Sequence, residues 1–133
     1  MDDLTLYVEV EVKPTESEEK VRRAVENVLG SIPLELRVQA KGNLLTGEAR
    51  GVEFLTKLYN LLRRERIRDA ARGALFEGLS QNTIVIYLNK QVAFAGHVSF
   101  SKAVAESPLG PIMVRIECSE PRKLIDWLAP KTT

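Results

Sequence analysis

The chain has 133 residues, of which 44% are hydrophobic and 28% charged, with a formal net charge of +1. This length suits one domain spanning residues 1–133, large enough to bury a core. No apolar run reaches the roughly 18 residues of a membrane span, and the acidic start does not fit a signal segment. The single cysteine, Cys118, cannot form an internal disulfide. We therefore expect a cytoplasmic protein.

The charge is unevenly distributed along the chain. Residues 1–36 contain nine acidic and four basic side chains, whereas residues 37–75 contain nine basic and four acidic ones. Residues 76–133 carry a net charge of +1. Such a separation can steer a charged partner toward one part of the surface. The alternative is that the two blocks neutralise each other in the folded protein.

The first half of the chain predicts two strands and a helix. LTLYVEVEVK (residues 4–13) alternates strictly between apolar and other residues, as a half-buried strand does. A helix follows, with Thr15 and Glu18 as a capping box and Gly30 at its end. LELRVQAK (34–41) predicts a second strand. GNLLTGEARG (42–51) contains three glycines and predicts a loop.

The second half predicts three helices and three strands. One helix runs from about Val52 to Arg64, and a second apolar set (67–75) lies on the opposite face, so we expect a break between Arg63 and Ile67. TIVIYL predicts a central strand, and LNKQ a turn into a further strand, QVAFAGHVSF. SPLGP predicts a loop, IMVRIEC a strand with Cys118 inward, and PRKLIDWL the last helix.

These elements predict an α+β fold. The order is β-α-β-α-α-β-β-β-α, and the simplest arrangement is a single mixed or antiparallel sheet with helices packed on one face.

Five arginines between residues 63 and 72 raise the question of an anion-binding surface. On a continuous helix, Arg64, Arg68 and Arg72 would form one stripe, and the guanidinium fork suits phosphate. The alternative is an ordinary solvated face with Glu65–Arg68 and Asp69–Arg72 pairs. The expected helix break favours this alternative. It is also favoured because no aromatic residue, on which a base could stack, lies among the arginines.

Other chemistry is sparse in this sequence. His97 is the only histidine, and no metal-ligand spacing or nucleophile motif accompanies it. Glu9 and Glu11 are expected to pair with residues of a neighbouring strand, namely Arg37, Gln39 or Lys41. The glycine-bearing segment 42–51 is a weak candidate for binding a small anion. We expect no catalytic residues, metal or cofactor, and no enzymatic activity.

Several segments, in order, resemble one known family. VEVEVKPTESEEKVRRAVENVL (8–29), IRDAARGAL (67–75), LNKQVAFAGHVSF (88–100) and ESPLGPIMVRI (106–116) are similar to the archaeal uncharacterised protein family number 0201, part of a wider group labelled RNA-binding. The resemblance implies a fold similar to the 5S rRNA-binding ribosomal protein of the large subunit, and a link to an RNA-processing complex, the exosome.

The arginine helix of the wider group reads closer to I-L-D-x-A-R. Ile67, Asp69, Ala71 and Arg72 match that pattern, while Arg68 replaces an apolar residue. The departure implies that Arg68 lies at the edge of a groove or interface. The pair of Asp69 and Arg72 would then be a structural clamp.

Together these observations predict a non-catalytic RNA-binding module. Its phosphate contacts are expected at the following residues: Arg50, Arg63, Arg64, Arg66, Arg68 and Arg72, with Lys90 and Gln91 as secondary contacts. The alternative is a structural or assembly protein, a homodimer whose arginines pair with acidic segments of itself or of a partner. A third hypothesis is an enzyme or small-anion binder that uses residues 42–51.

Overall fold

A computed structural model describes residues 3–102 and 110–132 of the chain. Within these ranges, seven strands form one antiparallel sheet: β1 (Thr5–Val12), β2 (Glu35–Gln39), β3 (Gly42–Arg50), β4 (Leu79–Ser80), β5 (Thr83–Asn89), β6 (Phe100–Ser101) and β7 (Pro111–Glu117). The strand order is β2-β3-β1-β7-β5-β4, and β6 also pairs with β5. The predicted α+β class with a single sheet is confirmed.

The helices pack on one face of this sheet. They are α1 (Glu18–Leu29), α2 (Thr56–Arg64), α3 (Arg68–Glu77), α4 (Lys90–Phe94) and α5 (Pro121–Leu128), and a 3-10 turn, Val52–Leu55, precedes α2. Alternate residues of β1, β5 and β7 form one buried cluster with the apolar stripes of the helices. The predicted element order is matched, with β3, β4 and α4 as additional elements.

The segment GNLLTGEARG is a strand, β3, and its prediction as a loop was wrong. Its central glycine, Gly47, faces the buried side opposite Val8. A Cβ atom there would lie 2.5 Å from the carbonyl oxygen of Pro33. The glycine thus reflects close packing within a strand and not a turn.

The addition of β3 changes the strand neighbours of β1. Because β3 lies between β1 and β2, Glu9 and Glu11 do not reach Arg37, and the expected pairing across those strands was wrong. Glu9 accepts a hydrogen bond from the Tyr7 hydroxyl at 3.2 Å, and Glu11 pairs with Lys13 at 2.8 Å.

The LNKQ segment begins a short helix, α4, where a turn into a strand was expected. The side-chain oxygen of Asn89 accepts a hydrogen bond from the Val92 amide at 2.9 Å and caps the helix. The following strand is only β6. The predicted SPLGP loop lies largely outside the described residues.

The start of α1 is also two residues later than expected. Ser17 is the N-cap, and its hydroxyl accepts a hydrogen bond from the Lys20 amide. The predicted capping box of Thr15 and Glu18 was therefore wrong.

The predicted break between α2 and α3 is confirmed. The Arg66 amide donates to the Arg63 carbonyl at 3.2 Å, and the Ile67 amide donates to the Leu62 carbonyl at 3.1 Å. This pair of bonds is the Schellman motif, which requires a left-handed residue after the helix. Arg66 supplies it with φ = 56°.

Candidate nucleic-acid interface

Arg63 is held against the end of α5. Its guanidinium donates to the carbonyl oxygens of Trp127 and Leu128, both at 3.2 Å. It also lies 3.3 Å from the ring centre of Tyr59, which stacks on Trp127 at 4.7 Å. These bonds satisfy carbonyls that the last turn of a helix leaves free. Arg63 is therefore a structural residue, and its assignment to a phosphate surface requires correction.

Arg72 also contacts α5. It pairs with Asp126 at 2.8 Å and donates to the Ala129 carbonyl at 3.1 Å. Asp69 instead accepts hydrogen bonds from the Thr132 hydroxyl at 2.8 and 2.9 Å. The expected Asp69–Arg72 pair was wrong, and the helix break prevents a stripe of Arg64, Arg68 and Arg72.

Lys90 is buried, with only 4% of the residue exposed. Its ammonium donates to the Glu11 carbonyl at 2.8 Å and pairs with Glu16 at 2.9 Å. It thereby joins α4 to the connection between β1 and α1. Its expected role as a surface contact is not compatible with this burial, whereas Gln91 beside it is exposed.

Arg50 is exposed but lies apart from the other arginines. It ends β3 opposite Thr5, on the sheet face that the helices do not cover. The predicted set of eight contacts therefore does not form one surface.

Three arginines remain together where α2 ends and α3 begins: Arg64, Arg66 and Arg68, which we name the arginine turn. The Arg64 side chain is 68% exposed and makes a long 3.5 Å bond to the Gly96 carbonyl. Across residues 3–102 and 110–132, the side chains of Arg66 and Arg68 make no hydrogen bond or ion pair. Arg66 is exposed and Arg68 half-buried.

The carboxylate closest in sequence, Glu65, makes its shorter contacts outside the arginine turn. Glu65 accepts from the Val98 amide at 3.1 Å and lies 2.9 Å from Nδ1 of His97, while its distance to Arg64 is 4.0 Å. The expected Glu65–Arg68 pair is absent from the part of the chain that the structure describes. Glu65 instead ties the segment after α4 to the turn, and His97 lies in a loop and not in a strand.

A depression of about 420 Å³ adjoins Arg64. Its lining includes Asn27 of α1, Lys57 and Asn60 of α2, and Gly96 after α4. Lys57 donates to the Glu26 carbonyl at 3.0 Å, which places a further cation near the arginine turn. The i, i+7 spacing of Lys57 and Arg64 on α2 could have suggested this residue from the sequence.

The uncovered sheet face carries a slight excess of carboxylates. Strand register and the ion pair of Glu11 place five carboxylates there against four cations: Glu9, Glu11, Glu35, Glu48 and Glu117 against Lys13, Arg37, Arg50 and Arg115. Arg115 lies 4.6 Å from the ring centre of Tyr7. Burial and the neighbouring carboxylate of Glu9 raise the pKa of the Tyr7 hydroxyl. This face is unfavourable for phosphate.

The described residues contain no cluster of three or more His, Cys, Asp or Glu side chains that could hold a metal ion. Cys118 is buried as predicted, and desolvation raises the pKa of its thiol. A neutral, buried thiol is a poor nucleophile. No helix in the same described ranges is both long and apolar enough to cross a membrane.

Comparison with known proteins places these residues in a family. A family model described as RNA binding matches residues 5–118. The chain belongs to this RNA-binding family. The match includes the arginine turn and α4.

Individual relatives carry the family number 0201. A "UPF0201 protein" from Sulfurisphaera tokodaii is 44% identical over 127 residues, covering 96% of this chain and 88% of the relative. Another from Aeropyrum pernix is 43% identical over 128 residues, covering 96% and 85%. The predicted resemblance to family number 0201 is confirmed.

A solved structure shares the fold. The crystal structure of the UPF0201 protein from Methanococcus jannaschii superimposes with a TM-score of 0.86 at 32% identity, covering 97% of this chain and 95% of that one.

Proposed function

We propose that the chain is a non-catalytic RNA-binding module that holds RNA phosphates through the arginine turn. One observation carries the proposal. An arginine, Arg66, occupies the left-handed position after α2, where glycine is favoured. A residue other than glycine at such a position lowers the free energy of unfolding by about 1–2 kcal/mol. The Arg66 side chain makes no hydrogen bond or ion pair within the described residues that would offset this loss. A phosphate ligand would account for an arginine at this position.

The surroundings of the turn support phosphate as the ligand. Arg64 and Arg68 flank Arg66, and Lys57 lies on the same side of α2 as Arg64. The adjacent Glu65 carboxylate is occupied by the Val98 amide and His97. The three arginines outnumber the carboxylates of Glu65 and Asp69, so the turn keeps a net positive charge. Phosphate contacts of this kind position RNA without reading its sequence.

The charge of the two sheet sides supports the same location. The uncovered sheet face carries slightly more carboxylates than cations, whereas the arginine turn lies among the helices on the other side. Arg50 on that acidic face and the internally bonded Arg63, Arg72 and Lys90 are not part of the proposed contact set.

A salt titration tests the proposal. Binding of a fluorescent single-stranded RNA is measured for the wild type and for the triple variant Arg64→Gln/Arg66→Gln/Arg68→Gln. The log–log salt slope of the wild type should exceed that of the variant by about 2, because each single-strand phosphate neutralised contributes about 0.7. Affinity at low salt should fall in parallel.

A matched control removes the same charge elsewhere. The variant Arg23→Gln/Lys41→Gln/Lys123→Gln changes three exposed cations outside the turn and should retain most of the wild-type slope. If both triple variants lose the same salt slope, RNA binding depends on the total charge and not on the arginine turn. A wild type that does not bind RNA at low salt would refute it.

A second candidate function is assembly of copies of this chain. The observation that favours it is the edge strand β2, which pairs only with β3 among the described strands and leaves Val38 79% exposed. An unprotected edge can pair with a second chain. This alternative predicts a mass that rises with protein concentration in the absence of RNA.

A further inference from the structure

An exposed aromatic ring lies close to the arginine turn. Among the described residues, Val38 and Phe94 are the large hydrophobic side chains that remain exposed, and Phe94 is 40% exposed at the end of α4. A ring left in water at a helix end is available to a planar ligand.

Phe94 forms part of a pocket of about 400 Å³ between α1 and α4. Val21 and Ala24 of α1 provide further apolar surface. The polar lining consists of Thr15, Ser17, Lys20, Gln91 and the ion pair of Glu16 with Lys90. The ammonium of Lys20 lies 5.9 Å from the centre of the Phe94 ring. The pocket thus combines an aromatic surface with side chains that donate and accept hydrogen bonds.

This chemistry suits a nucleobase. A base stacks on an aromatic ring whatever its identity. Its edge presents both donors and acceptors, which the amide of Gln91 and the hydroxyl of Ser17 can complement. The ammonium of Lys20 can contact a carbonyl oxygen of the base or an adjacent phosphate.

The end of α4 links the pocket to Arg64 of the arginine turn. The amide of Asn27 donates to the carbonyls of Ala93 and Phe94 at 3.0 and 3.2 Å. Two residues after Phe94, Gly96 accepts from Arg64 at 3.5 Å. Two residues of chain span at most about 7 Å, so Phe94 lies within a short distance of the group that Arg64 contacts.

We propose that this pocket receives one unstacked base of a single-stranded RNA segment whose phosphates lie at Lys57 and the arginine turn. The inference rests on the proposed function and adds to it the kind of RNA that is bound: an unpaired segment, since a duplex keeps its bases stacked and cannot insert one. Bases splayed from single strands are the usual targets of aromatic side chains in RNA recognition.

The test is RNA binding by Phe94→Leu and Phe94→Trp beside the wild type. Leucine retains apolar bulk at a partly exposed position but removes the ring. We expect Phe94→Leu to weaken binding of a single-stranded oligonucleotide on the order of tenfold, with an unchanged salt slope because no charge is lost. Phe94→Trp should bind at least as tightly as the wild type.

Controls identify the source of any loss. Val38→Ala alters the other exposed hydrophobic side chain and should leave affinity unchanged. A duplex of the same sequence should bind more weakly than the single strand and be insensitive to Phe94→Leu. Free nucleoside monophosphates should bind far more weakly than the oligonucleotide, because the phosphate contacts at the turn are missing.

The outcomes separate the two proposals. Phe94→Leu could keep the affinity and salt slope of the wild type while the arginine triple variant lowers both. That result would overturn the base pocket and support the phosphate site. Preference for duplex RNA, or tight binding of free nucleotides alone, would also overturn it. If the wild type does not bind RNA, both the base pocket and the phosphate site are wrong.

Discussion

Arg63 and Arg64 are adjacent in the chain, yet their guanidinium groups have different surroundings. Successive residues of a helix point about 100° apart. This rotation directs Arg63 to the carbonyls of Trp127 and Leu128 and leaves Arg64 68% exposed. The role of each arginine thus depends on where α5 packs.

Arg66 gives the sharpest prediction for a single side chain. Arg66→Gly should raise the free energy of unfolding by about 1 kcal/mol relative to Arg66→Ala, because only glycine adopts φ = 56° without cost. Both variants should weaken RNA binding, since both lose the guanidinium. Urea unfolding and RNA titration of the two variants measure the two effects separately.

The combination of results is diagnostic. A glycine variant that is both more stable and a weaker binder indicates that the arginine is retained for a ligand at the expense of stability. Unchanged RNA affinity in both variants would remove Arg66 from the proposed contact set.

The elements of the fold could be predicted where the signal was local. Apolar alternation is a property of neighbouring residues, and it identified β1, β2 and β7, while a continuous apolar run identified β5. The change of apolar phase after Arg63 likewise predicted the α2–α3 break. β3 was missed because Gly47 was interpreted as a turn residue. The reason for a glycine there is instead the Pro33 carbonyl, which packs where a Cβ atom would lie.

The short helix α4 was missed for a related reason. Its apolar residues are compatible with a strand, and the N-cap at Asn89 was the one local signal for a helix. Five residues are too few for helical periodicity to be recognised.

The attachment of α5 predicts a purely structural effect of Arg63. Arg63→Gln should lower the free energy of unfolding by about 2 kcal/mol, because it removes charge-assisted hydrogen bonds to the last carbonyls of α5. The folded variant should bind RNA like the wild type. Urea unfolding with Arg64→Gln as the matched control measures the difference, and a loss of RNA affinity without a loss of stability would contradict this assignment.

The molecule as a whole separates its charges between two sides. The arginine turn and Lys57 lie among the helices, while the uncovered sheet face carries the carboxylate excess. Within the described residues no ion pair joins side chains of residues 1–36 to those of residues 37–75, so the two charge blocks do not neutralise each other in this way. A local group of exposed cations such as the arginine turn can steer a polyanion toward itself.

The candidate site could be predicted from the sequence only in part. The arginine run was visible, but the partners of Arg63 and Arg72 lie more than fifty residues further along the chain. No aromatic residue lies between the arginines in the sequence. In the folded protein, however, Phe94 lies beside the segment that Arg64 contacts. Long-range packing decides both points, and no local pattern encodes it.

The most direct test of the central claim is to map which backbone amides RNA protects from hydrogen exchange. The wild-type protein is compared with and without a saturating single-stranded RNA. Protection should increase at the arginine turn, around Asn27 and in the segment from Phe94 to Gly96, and should remain unchanged on β1 and β7. Protection confined to the uncovered sheet face around Tyr7 and Arg115, or no change anywhere, would contradict the assignment of RNA binding to the helical side.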